Sequence, residues 1–207
     1  MMRIDERLTA ADLAAAARRV FEVALPKILA LDARWDAGQG TPVFTVEGRY
    51  ATRGWTEWTQ GFQYGMGVLA FDVTGDERVL TRMRKRIVER MAPHVSHRGV
   101  HDHGFNNIST YGNLRRLMRE GKIAANVWEM NFYELALKAS GAVQAGRWAK
   151  PGFIYSFNGP HSLFVDTIRS LRSLAVAHQL GHALMDEGDE KFSLLDRLVE
   201  HGMMTAR

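Results

Sequence analysis

Two aspartates, each at the head of an expected helix and each flanked by aromatic or imidazole side chains, are the residues best suited to acid–base chemistry. Asp102 stands between His101 and His103, ahead of Gly104 and Phe105; Asp166 follows Phe164 and Val165 and precedes Thr167, Ile168 and Arg169. A carboxyl group held near a second carboxylate and shielded from water has its pKa raised, so it can donate a proton while its partner stays ionised. Structural uses fit the same residues. Asp102 suits a helix N-cap, and Asp166 suits the first-turn dipole or a pair with Arg169 three residues on.

Two further segments join polar or aromatic groups to helix starts. One runs from Gly54 through Trp55, Trp58 and Gln60 to Phe62, with Tyr64 close behind; the other is Tyr155, Ser156, Phe157, Asn158, Gly159 and Pro160. Aromatic faces bind the C–H face of a sugar ring, and at helical spacing they equally suit a core. If the connecting turns lie at the far ends of these helices, all four segments share one face of a bundle.

Histidines 94, 97, 101 and 103 crowd one stretch, and His178 and His182 sit four apart. Two histidines at that spacing can hold zinc, but Gln179 stands where a zinc-protease helix needs its glutamate and no further ligand is indicated. No metal and no cofactor is expected. The absence of cysteine excludes disulfides, thiolate metal sites and cysteine nucleophiles.

The elements that must position these groups are helical. Residues 9–33 are rich in Ala and Leu, with Thr9 as N-cap, Leu13, Ala16, Val20 and Val23 on one stripe, and Pro26 expected to kink or restart the helix. Residues 36–54 read as a loop or short extended piece carrying Val43, Phe44 and Val46. Helices are expected near 56–73, 76–93, 103–119, 122–139, 162–184 and 189–204, and short connections make them antiparallel neighbours. Turns at Gly75, Gly121 and Gly188, two of them followed by Asp-Glu, echo one another, which suits either a ring of repeated hairpins or a plain helical domain.

Composition sets the remaining limits. Of 207 residues, 46% are hydrophobic and 24% charged, the balance of a soluble globular chain. Residues 1–19 include Asp5, Glu6 and Asp12, unlike a signal peptide, and no apolar run reaches the roughly 20 residues of a membrane span. A cytoplasmic location is the expectation. The net charge of +4 favours an anionic partner such as an acidic sugar, while the run Arg82, Arg84, Lys85, Arg86 and Arg90 reads as a solvated helix face. Neither nucleic acid nor membrane is expected as a partner.

The order Trp55-Thr56 with Gly61-Phe62, then His101-Asp102 with Gly104-Phe105, then Ser156 with Gly159-Pro160, then Val165-Asp166 resembles the unsaturated glucuronyl hydrolases, glycoside hydrolase family 88. That resemblance implies an all-α, (α/α)6 toroid of six hairpins, of which residues 1–207 supply about the first half as an incomplete domain. It also implies removal of a 4,5-unsaturated uronic acid from oligosaccharides made by a polysaccharide lyase, through hydration of the vinyl ether. Asp166 matches the acid/base and Asp102 its partner, with Trp55, Trp58, Phe62, His101 and Asn158 toward the substrate. Gln60 stands where the family pattern has Asp, and Thr167 where it commonly has Asn. Unsaturated rhamnogalacturonyl hydrolases, or a noncatalytic carbohydrate-binding scaffold, are the other readings. An open half-ring would expose apolar helix faces, so a homo-oligomer or a missing C-terminal half is expected to cover them.

Overall fold

The computed structural model describes residues 7–53 and 58–207. Helix α1 (Ala10–Arg34) starts at a reciprocal capping box in which Thr9 N–H donates to Asp12 Oδ2 (3.0 Å) and Asp12 N–H donates to Thr9 Oγ1 (3.2 Å), satisfying donors that the first turn leaves open. The helix runs through Pro26 without restarting. Proline removes one backbone bond there, and the packing of Phe21, Ala24, Leu25, Ile28 and Leu29 on the core holds the helix across it. The stripe read from the sequence is not the packing face: Leu13, Val20 and Val23 are 58%, 63% and 60% exposed.

Residues 36–54 contain a β-hairpin, β1 (Thr41–Val46) paired antiparallel with β2 (Arg49–Arg53) and interrupted by a bulge between Pro42 and Phe44. The chain continues through α2 (Thr59–Thr74), α3 (Glu77–Arg90) and the short α4 (Ala92–Ser96), and then a π-helical segment (Gly104–Gly112) runs into α5 (Asn113–Arg119). Helix α6 (Val127–Ala145) begins later than the sequence suggested, because the Asn126 side chain accepts from the N–H groups of Trp128 and Glu129 and sets the first turn there.

The expected long helix over 162–184 is not present. An irregular loop extends to Asp166, followed by α7 (Thr167–Ser170) and α8 (Arg172–Gln179). Two small ribbons, β3 (Trp148–Ala149) with β4 (Phe153–Ile154) and β5 (Leu184–Met185) with β6 (Lys191–Phe192), were also not anticipated. Helix α9 (Leu194–Ala206) starts at Ser193, whose hydroxyl accepts from Asp196 N–H (3.2 Å). The preceding turn cannot be helical, since Gly188 and Asp189 hold φ of 65° and 61°. Gly75 and Gly121 share that left-handed geometry at φ of 71° and 69°, which is why glycine punctuates all three turns.

Packing follows chain order: α1 on α2, α2 on α3 and the π-helical segment, α5 and that segment on α6, α6 on α8, and α8 on α9. One core joins α1 through α6 around Val68, Met83, Ile87, Leu114 and Leu137, and a smaller one joins α6, α8 and α9 around Ile154, Leu174 and Leu194. The basic run on α3 is structural. Arg86 pairs with Asp32 of α1 (2.9 Å), Arg84 pairs with Glu129 of α6, and Lys85 lies near Glu89 (3.8 Å). Among the described residues no helix is long and apolar enough to cross a membrane.

Candidate carboxylate site

Asp102 lies one turn after α4, at the entrance to the π-helical segment, and its carbonyl accepts from the N–H groups of Phe105 and Asn106 (3.0 Å each). Such wide turns recur at functional sites because they redirect side chains that a regular helix would align. The entrance is wedged in place by Gly104, where a Cβ would come within 2.5 Å of the Ser170 Cα. Gly104 N–H also donates to Ser170 Oγ (3.2 Å), so the start of this segment is clamped to the end of α7.

The neighbouring histidines are held by polar networks. His103 Nε2 donates to the His97 carbonyl (2.9 Å), which leaves Nδ1 to accept from the Ser140 hydroxyl (2.9 Å). Burial pushes the His103 pKa down to about 4, so this ring is neutral at physiological pH. Asn107 Nδ2 donates to both Ser140 Oγ (2.8 Å) and the His94 carbonyl (3.0 Å), and His94 Nε2 donates to Gln60 Oε1 (2.7 Å). Gln60 is buried and serves this bond. The described residues contain no group of three or more potential metal ligands.

Asp166 arrives from the opposite side. Between β4 and α7 the chain folds into a closed loop, with Ser156 N–H donating to the Ser162 carbonyl (3.0 Å) and Ser156 Oγ to Ser162 Oγ (2.7 Å). Buried Arg147 grips its base, donating to the carbonyls of Tyr155 (3.2 Å) and Ser156 (2.7 Å) and to that of Arg98, with its guanidinium 4.3 Å from the centre of the Tyr155 ring. Burial lowers the Arg147 pKa, and the negative charge of Asp102 is among the influences that raise it again. A guanidinium charge therefore stands within electrostatic reach of Asp102.

The two aspartates converge on one imidazole. His101 Nε2 is 3.0 Å from Asp166 Oδ1 and 3.7 Å from Asp102 Oδ1, so those oxygens lie no farther apart than the two distances laid end to end. Asp166 does not cap its helix through its side chain, and Arg169 lies 4.8 Å from the Phe105 ring centre rather than on Asp166. Asp102 is buried, whereas the Asp166 side chain is 27% exposed. The arrangement offers one carboxylate to a ligand and keeps a second behind it.

Aromatic rings pack on the shared imidazole. Phe157 stacks on His101 with centroids 5.8 Å apart, Phe164 meets it edge-on at 6.0 Å, and His101 itself is 1% exposed. Sequence reasoning placed His101 against a sugar; the structure places it beneath these rings, reaching the open side through Asp166. Trp58 and Phe62 make an edge contact at 5.6 Å and both lean on Phe105 at 6.3 and 5.8 Å. Asn158 is exposed at the loop tip beside Phe157. Trp55 lies outside the described residues. An open groove of about 660 Å³ runs beside Trp58 and Phe62, lined also by Tyr50, Met66, Ile108 and Arg172. Neither Arg147 nor Arg172 was singled out from sequence: Arg147 donates to backbone carbonyls, and Arg172 donates to those of Arg169 (3.1 Å) and Gly104 (3.4 Å), acceptors that leave no side-chain pattern.

No family model matches this sequence, and no curated protein sequence matches it. Two solved structures do match its fold. An unsaturated glucuronyl hydrolase specific for heparin superposes with a TM-score of 0.72 at 17% identity, over 92% of this chain and 47% of its own. The unsaturated glucuronyl hydrolase from Streptococcus agalactiae superposes with a TM-score of 0.69 at 20% identity, over 96% of this chain and 46% of its own. The chain thus spans about half the length of the structures it matches, and its fold is a partial α/α toroid of the unsaturated glucuronyl hydrolase kind.

Proposed function

We propose that this chain carries the proton-transfer side of a glycoside hydrolase that removes a 4,5-unsaturated uronic acid from lyase-generated oligosaccharides. The observation that carries the proposal is the convergence of Asp166 and Asp102 on His101 Nε2, at 3.0 and 3.7 Å. A vinyl ether is hydrated by giving a proton to C4 and hydroxide to C5, and a partly exposed carboxyl group backed by a second carboxylate suits that task.

In this reading His101 N–H donates to one oxygen of Asp166 and leaves the other to carry the proton. Asp166 delivers it to C4, and the positive charge that develops at C5 is shared with the ring oxygen. Water attacks C5 and returns its proton to Asp166. The hemiketal opens, leaving a hemiacetal at C1 whose collapse releases the rest of the oligosaccharide. Asp102, buried beside the charge of Arg147, stays ionised and orients the water. Trp58 and Phe62 offer a stacking surface, Asn158 a hydrogen bond at the rim, and Arg169 and Arg172 attraction for an acidic sugar. Trp55 stays in the proposed substrate-binding set on the sequence resemblance alone, and residues 1–207 are read as part of a toroid domain.

The test is turnover of an unsaturated uronyl disaccharide, followed by loss of the vinyl-ether absorbance. Wild-type chain is expected to bleach it, and Asp166→Asn to do so at least about 100-fold more slowly. Untouched absorbance with wild type, or full turnover by the variant, overturns the reading.

A further inference from the structure

Two buried ring nitrogens have no hydrogen-bond partner among the described residues: His101 Nδ1 and His201 Nε2. Their proton assignments are complementary. His201, fully buried on α9, accepts the Ile154 N–H on its Nδ1 (3.0 Å), so the proton of the neutral ring sits on Nε2 as a donor. His101 turns Nε2 to Asp166 Oδ1 (3.0 Å), and an ionised carboxylate only accepts, so His101 Nδ1 is an acceptor. Both rings border the smaller core. Ile154 belongs to that core, and Phe157, three residues further on, stacks on His101 with centroids 5.8 Å apart. Gln144, next to Ala145 of the same core, donates to the His101 carbonyl (2.9 Å). Burial first and the His101 ring second lower the His201 pKa, so the two rings lie within electrostatic reach and His201 is neutral at physiological pH.

We propose that His201 is a positioning residue for Asp166: its Nε2–H donates through buried water to His101 Nδ1 and thereby fixes the His101 proton on Nε2. Buried water bridges groups of this kind because each is otherwise desolvated without a partner. The consequence lies at the acid. With the proton on Nδ1 instead, the His101 Nε2 lone pair would face Asp166, and a protonated Asp166 would donate into that nitrogen, away from the sugar. A donor set against Nδ1 disfavours that tautomer, so the His101 N–H takes one carboxyl oxygen and the acid proton stays on the other. His201 presents its donor on the required side because Ile154 occupies Nδ1, which ties the acid to the β3–β4 ribbon. The kinetic consequence rests on the proposed chemistry, whereas the tautomer of His101 is independent of turnover.

Nitrogen-15 NMR of the imidazoles at about pH 7.5 tests it, with the His101 signals assigned by their loss in His101→Gln. Wild-type chain is expected to show His101 and His201 each protonated at Nε2. His201→Leu, which offers no donor, should shift His101 toward the Nδ1–H tautomer and lower kcat about ten-fold with KM unchanged. His201→Gln, whose amide can accept from Ile154 and donate toward His101, should restore both. A wild-type His101 carrying its proton on Nδ1 overturns the proposal by itself, whether or not the leucine variant folds. A folded His201→Leu with the His101 tautomer unchanged, or a glutamine variant no better than the leucine one, overturns it as well. If the tautomer responds as expected while wild-type chain leaves the vinyl-ether absorbance untouched, the coupling of His201 to His101 stands and the proposed chemistry fails.

Discussion

Gly104 and Ser170 are in backbone contact: a Cβ at Gly104 would lie 2.5 Å from the Ser170 Cα and 2.6 Å from its carbonyl oxygen. Gly104 follows Asp102 by one turn residue and Ser170 ends the helix that Asp166 begins, so this contact sets the approach of the two carboxylates. We predict that Gly104→Ala lowers stability by about 1–3 kcal/mol, because backbone cannot yield as a side-chain tip would. It should also slow turnover ten-fold or more by displacing one carboxylate from the other. Urea unfolding and disaccharide assay read the two effects.

His101 positions Asp166 and does not touch substrate in this account. His101→Gln, whose amide can replace the Nε2 donor, should retain much of the turnover. His101→Phe keeps the packing against Phe157 and Phe164 yet offers no donor, and should lower kcat more than KM. A purely packing role would leave His101→Phe as the milder change and is contradicted by the reverse order.

Burial makes stability depend on pH through His103. Its pKa falls from 6.5 unfolded to about 4 folded, so the unfolded chain binds the extra proton between those values. Stability is therefore full above about pH 6.5 and is lost as the pH falls toward 4, by on the order of 3 kcal/mol for this group. Burial also lowers the pKa of His97, His182 and His201, and these act in the same direction. Urea midpoints at pH 7.5 and 5 should differ accordingly, and His103→Gln should flatten the dependence.

Trp58 and Phe62 are exposed beside the groove; if they stack on the sugar as proposed, Trp58→Ala should raise KM about ten-fold, equivalent to about 1.4 kcal/mol, with little change in kcat. An equal loss in kcat would instead place Trp58 against the reacting ring.

The sequence was most legible where local chemistry decides. Thr9 as N-cap and the Gly75-Asp76 turn fix helix ends through bonds a few residues long, and the structure keeps them. It was least legible where tertiary partners decide. Helix α1 has two apolar stripes, and only packing on α2 selects the one through Ile28. The run Leu163, Phe164 and Val165 has the composition of a helix start, yet it lies in the loop over His101 because Ser156 and Ser162 close that loop and Arg147 pins its base. That Asp102 and Asp166 come near one another was an expectation from the resemblance, whereas His101 as their shared contact was not expected, since nothing local links residues on separate hairpins.

Hydration of a vinyl ether leaves a mark that no direct displacement leaves. When an unsaturated uronyl disaccharide is turned over in heavy water, the account predicts a single deuterium delivered by Asp166 to C4 of the released uronic acid, visible by NMR at early times, with the signal suppressed at least about 100-fold in rate by Asp166→Asn. Product released with no deuterium at C4, or labelled equally fast by the variant, would contradict it.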